Sequence, residues 1–199
     1  MGRRASAWLT AIILLMTVAS AGAARKSPQK SPLDKSEIWN MHAAPQFATA
    51  EACTVLNQGE ISWRISHWLV GAELYKSLQD PGQVCSGPYP FTVEAIHMIL
   101  YVANFPCTLY VSVDVESADY TDEQCPVPGE LMSISSEYMF ILDNPNYNLY
   151  QISVPLDSPA VVDGPYFAGF YLANIVDTTW GLDIITDDAP TPCVDYNIW

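Results

Sequence analysis

Asp114 and Glu116 are the two carboxylates whose spacing could support catalysis. They are two positions apart in a segment that alternates polar and apolar residues, so both would lie on one face of a β-strand. A glycoside hydrolase needs such a pair at the right separation. Seventeen Asp and Glu residues follow Lys76, so pairs also arise by chance, and no Gly-x-Ser-x-Gly, His-Glu-x-x-His or phosphate-binding glycine motif is present. We therefore predict that the protein is not an enzyme, with a carboxylate-based glycoside hydrolase as an alternative.

Aromatic side chains with polar neighbours are the second candidate chemistry, because a flat ring with an apolar face can stack on a sugar. Tyr110 lies on the polar face of its predicted strand, next to Ser112 and Asp114. Trp68 is on the less apolar face of another strand, and Trp180 follows a polar loop. These five residues are the predicted ligand-binding candidates, and the alternative is ordinary packing of aromatic rings at the edge of the core.

Two groups of acidic residues offer the oxygen ligands that calcium prefers. The first is in one loop and the second is at the end of a later strand: Asp119, Asp122 and Glu123, then Asp183, Asp187 and Asp188. Neither group matches the EF-hand pattern, and a solvated acidic loop is the alternative. A structural calcium ion is the one cofactor that the sequence suggests.

Five cysteines follow the N-terminal segment, and none has the Cys-x-x-Cys spacing of a zinc site. We predict a disulfide between Cys107 and Cys125, which bracket one strand and its following loop, and a second between Cys85 and Cys193. This leaves Cys53 as a free thiol or as a partner for another chain. Two disulfides and one thiol have fifteen arrangements, so this assignment is one choice among many.

Short alternating segments separated by turn residues must position these side chains. Residues 108–116 place Leu109, Val111, Val113 and Val115 on one face and polar residues on the other, which is the period of a half-buried strand. Eight or nine such segments follow residue 59, with no convincing helical period. This pattern predicts an all-β fold, an antiparallel β-sandwich, with a jelly roll as the first choice and an immunoglobulin-like sandwich as the runner-up.

Glycines within this pattern predict local backbone features. Gly129 and Gly164 occur in turn-like sequences, where a positive φ favours glycine. Gly169 falls inside an apolar segment that is short enough for a buried strand. A glycine there indicates that another backbone or side chain approaches closely.

The N-terminal segment has the three zones of a secretory signal peptide: Arg3 and Arg4, an apolar stretch, and small residues up to Ala23. The apolar stretch is shorter than the roughly 20 residues of a transmembrane helix, which is the alternative. We predict a signal peptide at 1–23, a linker or loosely packed arm at 24–58 and a single sandwich domain at 59–199. The expected location is therefore secreted or at the cell surface, with the periplasm as an alternative, and without a membrane span after cleavage.

The charge distribution limits the partners. Lys76 is the last basic residue, and the formal net charge is −14. Nucleic acid and anionic membranes need Lys or Arg contacts, so we expect neither as a partner. Neutral glycans, basic extracellular proteins and cations are compatible with such a surface, and solubility alone is the simpler explanation of the charge.

Four segments resemble a type of secreted bacterial jelly-roll module of largely uncharacterised function. They are 87–93 (GPYPFTV), 109–115 (LYVSVDV), 126–131 (PVPGEL) and 161–170 (VVDGPYFAGF). Their architecture is similar to that of carbohydrate-binding modules, so the resemblance implies glycan binding or adhesion. The sequence therefore favours a non-catalytic binding or adhesion module, with a self-associating structural subunit of an extracellular appendage, envelope or matrix as the alternative.

Overall fold

Strands make up most of the chain that the computed structural model describes. The described residues are 27–34, 36, 42–43, 53–55, 61–67, 69, 71–85, 89–121, 125–175, 181–186 and 193–198. The predicted signal peptide lies outside them. Within these ranges, no helix is both long and apolar enough to cross a membrane.

The described residues form twelve strands and a four-residue helix. In chain order they are β1 (Gln29–Pro32), β2 (His42–Ala43), β3 (Trp63–Ser66), β4 (Glu73–Gln79), α1 (Pro81–Val84), β5 (Phe91–Val102), β6 (Cys107–Asp119), β7 (Val127–Ile134), β8 (Tyr138–Leu142), β9 (Leu149–Val162), β10 (Tyr166–Ile175), β11 (Leu182–Thr186) and β12 (Asp195–Ile198).

These strands form two sheets that pack face to face. Sheet I has the order β1-β3-β11-β5-β9-β2, and sheet II has the order β12-β4-β10-β6-β7, with β8 also paired to β6. The pairing is antiparallel throughout, except that β2 runs parallel to β9. The predicted antiparallel β-sandwich is confirmed.

The pairing of the strands identifies the sandwich as a jelly roll. With the edge strands β1, β2 and β12 set aside, and with β7 and β8 counted as one interrupted strand, eight strands remain. The first pairs with the eighth, the second with the seventh, the third with the sixth and the fourth with the fifth: β3–β11, β4–β10, β5–β9 and β6–β7/β8. This nested order is that of a two-sheet jelly roll, whereas an immunoglobulin-like sandwich has a different strand order.

β6 shows why the sequence folds this way. Cys107, Leu109, Val111, Val113 and Val115 all point into the core between the sheets and are almost fully buried, while the residues between them are half-buried on the opposite side. Burying an aliphatic side chain of this size stabilises the fold by about 1.5–3 kcal/mol. A slip of one residue would move the whole apolar set to the outside, so this alternation fixes the register of β6.

Ser135 joins β7 to β8, which run along β6 as two parts of one strand. Its backbone N–H donates to the carbonyl of Val113, and the Val113 N–H donates in turn to the Ser135 hydroxyl, both at 2.9 Å. Ser135 is buried. Its side chain therefore takes the place of a backbone acceptor where the strand is interrupted.

Two segments of the predicted N-terminal arm are strands of the sandwich. β1 pairs with β3 and β2 pairs with β9, which are at opposite ends of the four central strands of sheet I. Lys30 lies 4.7 Å from the centre of the Trp63 ring, and Leu33 packs in a small cluster with Tyr101 and Leu149. This cluster lies on the outer side of sheet I, so the arm supplies part of a second, smaller core.

The predicted disulfide pairing is wrong. The structure joins Cys53 to Cys85, and Cys125 to Cys193, with Cα–Cα distances of 5.8 and 4.9 Å. The first disulfide ties residues of the predicted arm to the end of α1. The second ties the segment before β7 to the segment before β12. β7 and β12 are the two edge strands of sheet II.

Cys107 is in neither disulfide, contrary to the prediction that Cys53 is the extra cysteine. The physical reason is the alternation of β6, whose first residue points into the core with Leu109. Cys107 is fully buried there. Its side chain therefore lies in the core, and Cys125 is bonded to Cys193 instead.

Candidate functional site: the outer face of sheet II

The outer face of sheet II is the side that points away from the core. The strand register shows which residues of β4, β10 and β6 lie next to each other on it. On β6 these are Tyr110, Ser112, Asp114 and Glu116; on β10 they are Phe167, Gly169 and Tyr171; on β4 they are Leu74, Lys76 and Leu78. One end of this face is closed to solvent, because Phe167 is fully buried. The other end is open around Tyr171, which is 38% exposed.

Lys76, Asp114 and Glu116 form a buried charged cluster at the closed end, which we call the Lys76 cluster. The Lys76 Nζ lies 3.3 Å from Oδ2 of Asp114 and 2.5 Å from Oε1 of Glu116. The Lys76 side chain is 5% exposed and each carboxylate is 16% exposed. Because charges are rarely buried without a partner, the contacts between these three side chains are what makes their burial tolerable.

Gly169 allows this cluster to form. β10 lies between β4 and β6, and Gly169 is directly opposite Lys76 on one side and Asp114 on the other. A Cβ at this position would overlap the Asp114 carboxylate and would lie 3.3 Å from Cγ of Lys76. The prediction that Gly169 marks a close approach is therefore confirmed. Gly129 and Gly164, by contrast, do not have the positive φ that was expected of them.

The electrostatics of the cluster raise the pKa of Asp114. Burial raises the pKa of the Asp114 carboxyl, the nearby Lys76 ammonium lowers it and the Glu116 carboxylate raises it, with burial the largest effect. Its Oδ1 atom is buried and has no hydrogen-bond partner among the described residues. The Asp114–Glu116 pair that the sequence suggested is therefore bridged by a lysine, and its members do not lie on either side of an open cleft.

Tyrosine and aliphatic side chains form the open end of the face, which we call the tyrosine strip. It consists of Tyr171 on β10, Tyr110 and Ser112 on β6, and Met139 and Ile141 on β8. Ser112 is opposite Tyr171, and Tyr110 is opposite Met139. The strip therefore crosses three adjacent strands, a width of about 10 Å. Met139 and Ile141 are each more than half exposed.

The structure brings together only part of the predicted ligand site. Tyr110 and Ser112 lie next to each other on the outer face, as the alternation of β6 indicated. Asp114 is on the same face but contacts Lys76. Trp68 and Trp180 lie outside the described residues. Sequence reasoning missed Tyr171, because β10 is apolar on both faces and only its pairing with β6 shows which way Tyr171 points.

Arg64 and Asp183 form a second ion pair, on the outer side of sheet I. The Arg64 Nη1 lies 3.6 Å from Oδ2 of Asp183, and the guanidinium lies 4.4 Å from the centre of the Tyr101 ring. Burial raises the pKa of the Asp183 carboxyl, while the charges of Arg64 and then His67 lower it. Asp183, predicted as a calcium ligand, therefore has an arginine as its nearest charged partner.

Only two of the six predicted calcium ligands, Asp119 and Asp183, lie in the described part of the chain. Asp119 accepts a hydrogen bond from the backbone N–H of Thr121. The other predicted ligands, Asp122, Glu123, Asp187 and Asp188, lie outside the described part of the chain. In that part, no group of three or more His, Cys, Asp or Glu residues is placed to hold a metal ion.

Comparison with known proteins gives a family without an assigned activity. No curated protein and no solved structure matches the chain. A protein family described as a domain of unknown function, DUF7451, matches residues 49–199. This match includes β3 to β12, and with them both ion pairs and the tyrosine strip. The chain belongs to the DUF7451 family.

Proposed function

We propose that this protein is an extracellular, non-catalytic binding module whose ligand is a neutral glycan held on the tyrosine strip. The observation that carries the proposal is the pairing of Tyr171 with Ser112 beside Tyr110, on the exposed part of a sheet face. The two rings offer apolar surface for the C–H faces of a sugar, and the hydroxyls of Tyr110, Tyr171 and Ser112 offer hydrogen bonds. Met139 and Ile141 extend the apolar surface towards the edge of the sheet.

The charge of the protein favours a neutral ligand over an anionic one. Two of the three Lys and Arg residues in the described strands, Arg64 and Lys76, contact buried or half-buried carboxylates. The third, Lys30, lies over the Trp63 ring. No basic residue follows Lys76, so a sulfated or uronic polymer would meet an acidic surface. The signal-peptide pattern and the two disulfides support an extracellular setting, because disulfides persist in oxidising compartments.

Binding to neutral polysaccharides tests this proposal. We expect the protein to bind at least one polymer on an array of neutral glycans, and Tyr171→Ala to weaken that binding at least about tenfold, which corresponds to about 1.4 kcal/mol. Tyr120→Ala is the matched control, because Tyr120 is 60% exposed but lies outside the strip. The proposal fails if no neutral glycan binds, with or without calcium, or if both variants weaken binding equally.

A second candidate function is self-assembly, and it is favoured by an edge strand of sheet II. β7 is the last strand of the sheet in the described structure, and it exposes Leu131, Met132 and Ile134. Edge strands with exposed apolar side chains can pair with another chain. If this edge assembles copies of the protein, light scattering should show oligomers at high concentration and Ile134→Lys should abolish them. A monomer at all concentrations and salt levels would exclude this function.

A further inference from the structure

The Lys76 cluster places an amine, a carboxyl group and a second carboxylate together in a closed part of the sheet. We propose that Lys76 and Asp114 join through an intramolecular amide, an isopeptide bond, and that Glu116 promotes its formation. This proposal does not depend on the tyrosine strip or on the glycan-binding function.

Proximity is the first argument. The Lys76 Nζ is 3.3 Å from Oδ2 of Asp114, so the amine is held beside the carboxyl group whose Cγ it would attack. Lys76 and Asp114 come from strands that are not neighbours, and the space above Gly169 is what lets the two side chains meet. A flexible surface lysine would seldom hold its amine in one place, whereas this side chain is buried and in contact with two carboxylates.

The state of the Asp114 carboxyl is the second argument. Amide formation needs a carbonyl carbon that is open to attack, so the carboxyl must be protonated rather than ionised. Burial raises the pKa of Asp114 and outweighs the lowering by the Lys76 ammonium, and the adjacent Glu116 carboxylate raises it as well. The buried Oδ1 atom has no hydrogen-bond partner among the described residues. It is also shielded from water, so it can carry the proton of the carboxylic acid.

Glu116 provides the proton transfers. It lies 2.5 Å from Nζ, so it can take a proton from the Lys76 ammonium and leave a neutral amine. The amine attacks Cγ of Asp114, and the N–C bond forms. Glu116 then passes a proton to the departing hydroxyl group, the C–O bond breaks and one water leaves. The amide nitrogen returns its surplus proton to Glu116. In total, an ammonium, a carboxylic acid and the Glu116 carboxylate become an amide, one water and a protonated Glu116, and no oxidant or activated co-substrate is required.

The bond would connect β4 to β6 across β10. β4 and β6 each form hydrogen bonds with β10 but not with each other. The amide would therefore be a direct covalent link between them. Together with the two disulfides, this link would resist unfolding by force and attack by proteases outside the cell. Unlike the disulfides, it would remain intact under reducing conditions.

The distribution of basic residues makes trypsin a direct reporter. Lys76 is the last site at which trypsin can cut, so an unmodified chain releases the fragment 77–199 after denaturation and reduction. An amide on Nζ removes that site. The last cut then follows Arg64, and the fragment 65–199 appears with a mass that is one water lower than its sequence requires.

The test uses the purified full chain, denatured and reduced, with intact mass and trypsin fragments as the readouts. We expect the mass to be one water below the sequence mass and fragment 65–199 to replace fragment 77–199. Lys76→Arg keeps the positive charge and should restore the full mass. Glu116→Gln should slow the appearance of the bond by at least about 100-fold, which is the usual contribution of a general base.

Two outcomes would overturn the proposal. The first is a wild-type protein of full mass from which trypsin releases fragment 77–199. The second is a loss of one water with Lys76 still cleavable, because that result would place the dehydration elsewhere, for example as a succinimide at Asp163–Gly164. Neither readout depends on whether a variant folds, because the wild-type chain alone gives both results. A Glu116→Gln protein that forms the bond at the wild-type rate would remove Glu116 from the mechanism.

Discussion

Gly169 and Asp114 face each other across the β10–β6 pair, and the Asp114 carboxylate occupies the space that a side chain at position 169 would need. The same glycine faces Lys76 on β4. A glycine in the middle of a strand normally weakens the strand, because it has no side chain to pack and loses more backbone entropy on folding. Here the missing side chain is what allows two opposite charges from non-adjacent strands to meet.

Gly169→Ala should lower the free energy of unfolding by about 1–3 kcal/mol, because the new methyl group overlaps a carboxylate that is held between two strands. Gly164→Ala is the matched control. Nothing lies within 4 Å of a Cβ at Gly164, so this change should be neutral or slightly stabilising. Urea denaturation of both variants measures the difference. Equal losses would show that the crowding at Gly169 has no energetic consequence.

The contribution of Asp183 to stability should rise as the pH falls towards about 4, because burial raises the pKa of its carboxyl in the folded state. A carboxyl with a raised pKa binds its proton more tightly when folded, so its contribution to stability is complete below the pKa of the unfolded chain and is lost as the pH rises through the folded pKa. Desolvation lowers the pKa of the His97 imidazole, which acts in the opposite sense within the same pH range, because the unfolded chain binds that proton more tightly. The lowered pKa of Asp80 also acts in the opposite sense, but only below the ordinary pKa of aspartate.

Asp183→Asn should remove this contribution, since asparagine cannot ionise. Urea denaturation at a series of pH values measures the slope. Asp157→Asn is a suitable control, because Asp157 is an exposed carboxylate that accepts hydrogen bonds from Ser136. If the difference in stability between the wild-type protein and Asp183→Asn does not rise as the pH falls, the sign of the Asp183 shift is contradicted.

The sequence predicted the positions of the strands better than it predicted the contacts between residues of different strands. β6 was foreseen with its inner and outer faces because one face is apolar and the other polar, which is a local signal. β10 could be located but not oriented, because Phe167 on its outer face is as apolar and as buried as its inward-facing residues. The orientation of Tyr171 therefore follows from its partners on β6 and not from its own sequence.

Contacts between distant residues were beyond the reach of sequence reasoning for the same reason. Lys76 and Asp114 meet only because β4 and β6 both flank β10, which is a property of the jelly-roll order. The disulfides have the same origin, since Cys125 and Cys193 are 68 residues apart and lie beside opposite edges of one sheet. Cysteine connectivity cannot be deduced from spacing alone, and the loop around Cys125 gave no information about its partner.

Ser135→Ala should lower the free energy of unfolding by about 1–3 kcal/mol, because it leaves the buried N–H of Val113 without its acceptor. Ser136→Ala provides a matched control in the next residue. The Ser136 hydroxyl also makes a hydrogen bond, to Asp157, but it is exposed, and water can replace the lost partner. We expect a loss below about 0.5 kcal/mol for the control. Similar losses in the two variants would show that the join between β7 and β8 is not stabilised by the Ser135 hydroxyl.

Cys107 should be the one cysteine that a thiol reagent labels after denaturation without reduction, because the other four are in disulfides. In the native protein we expect almost no labelling, since the side chain is fully buried at the start of β6 and a buried apolar thiol is inert. Alkylation followed by peptide mapping locates the label.

The Cys107→Ala variant is the control for this experiment, and it should show no label in either state. Labelling of Cys53 would instead support the pairing that the sequence suggested, in which Cys107 bonds to Cys125. That pairing would require the first residue of β6 to turn out of the core. Every apolar residue from Leu109 to Val115 would then have to change face or the strand would have to bend, because side chains alternate along a strand. The position of a single label therefore also tests the register of the central strand.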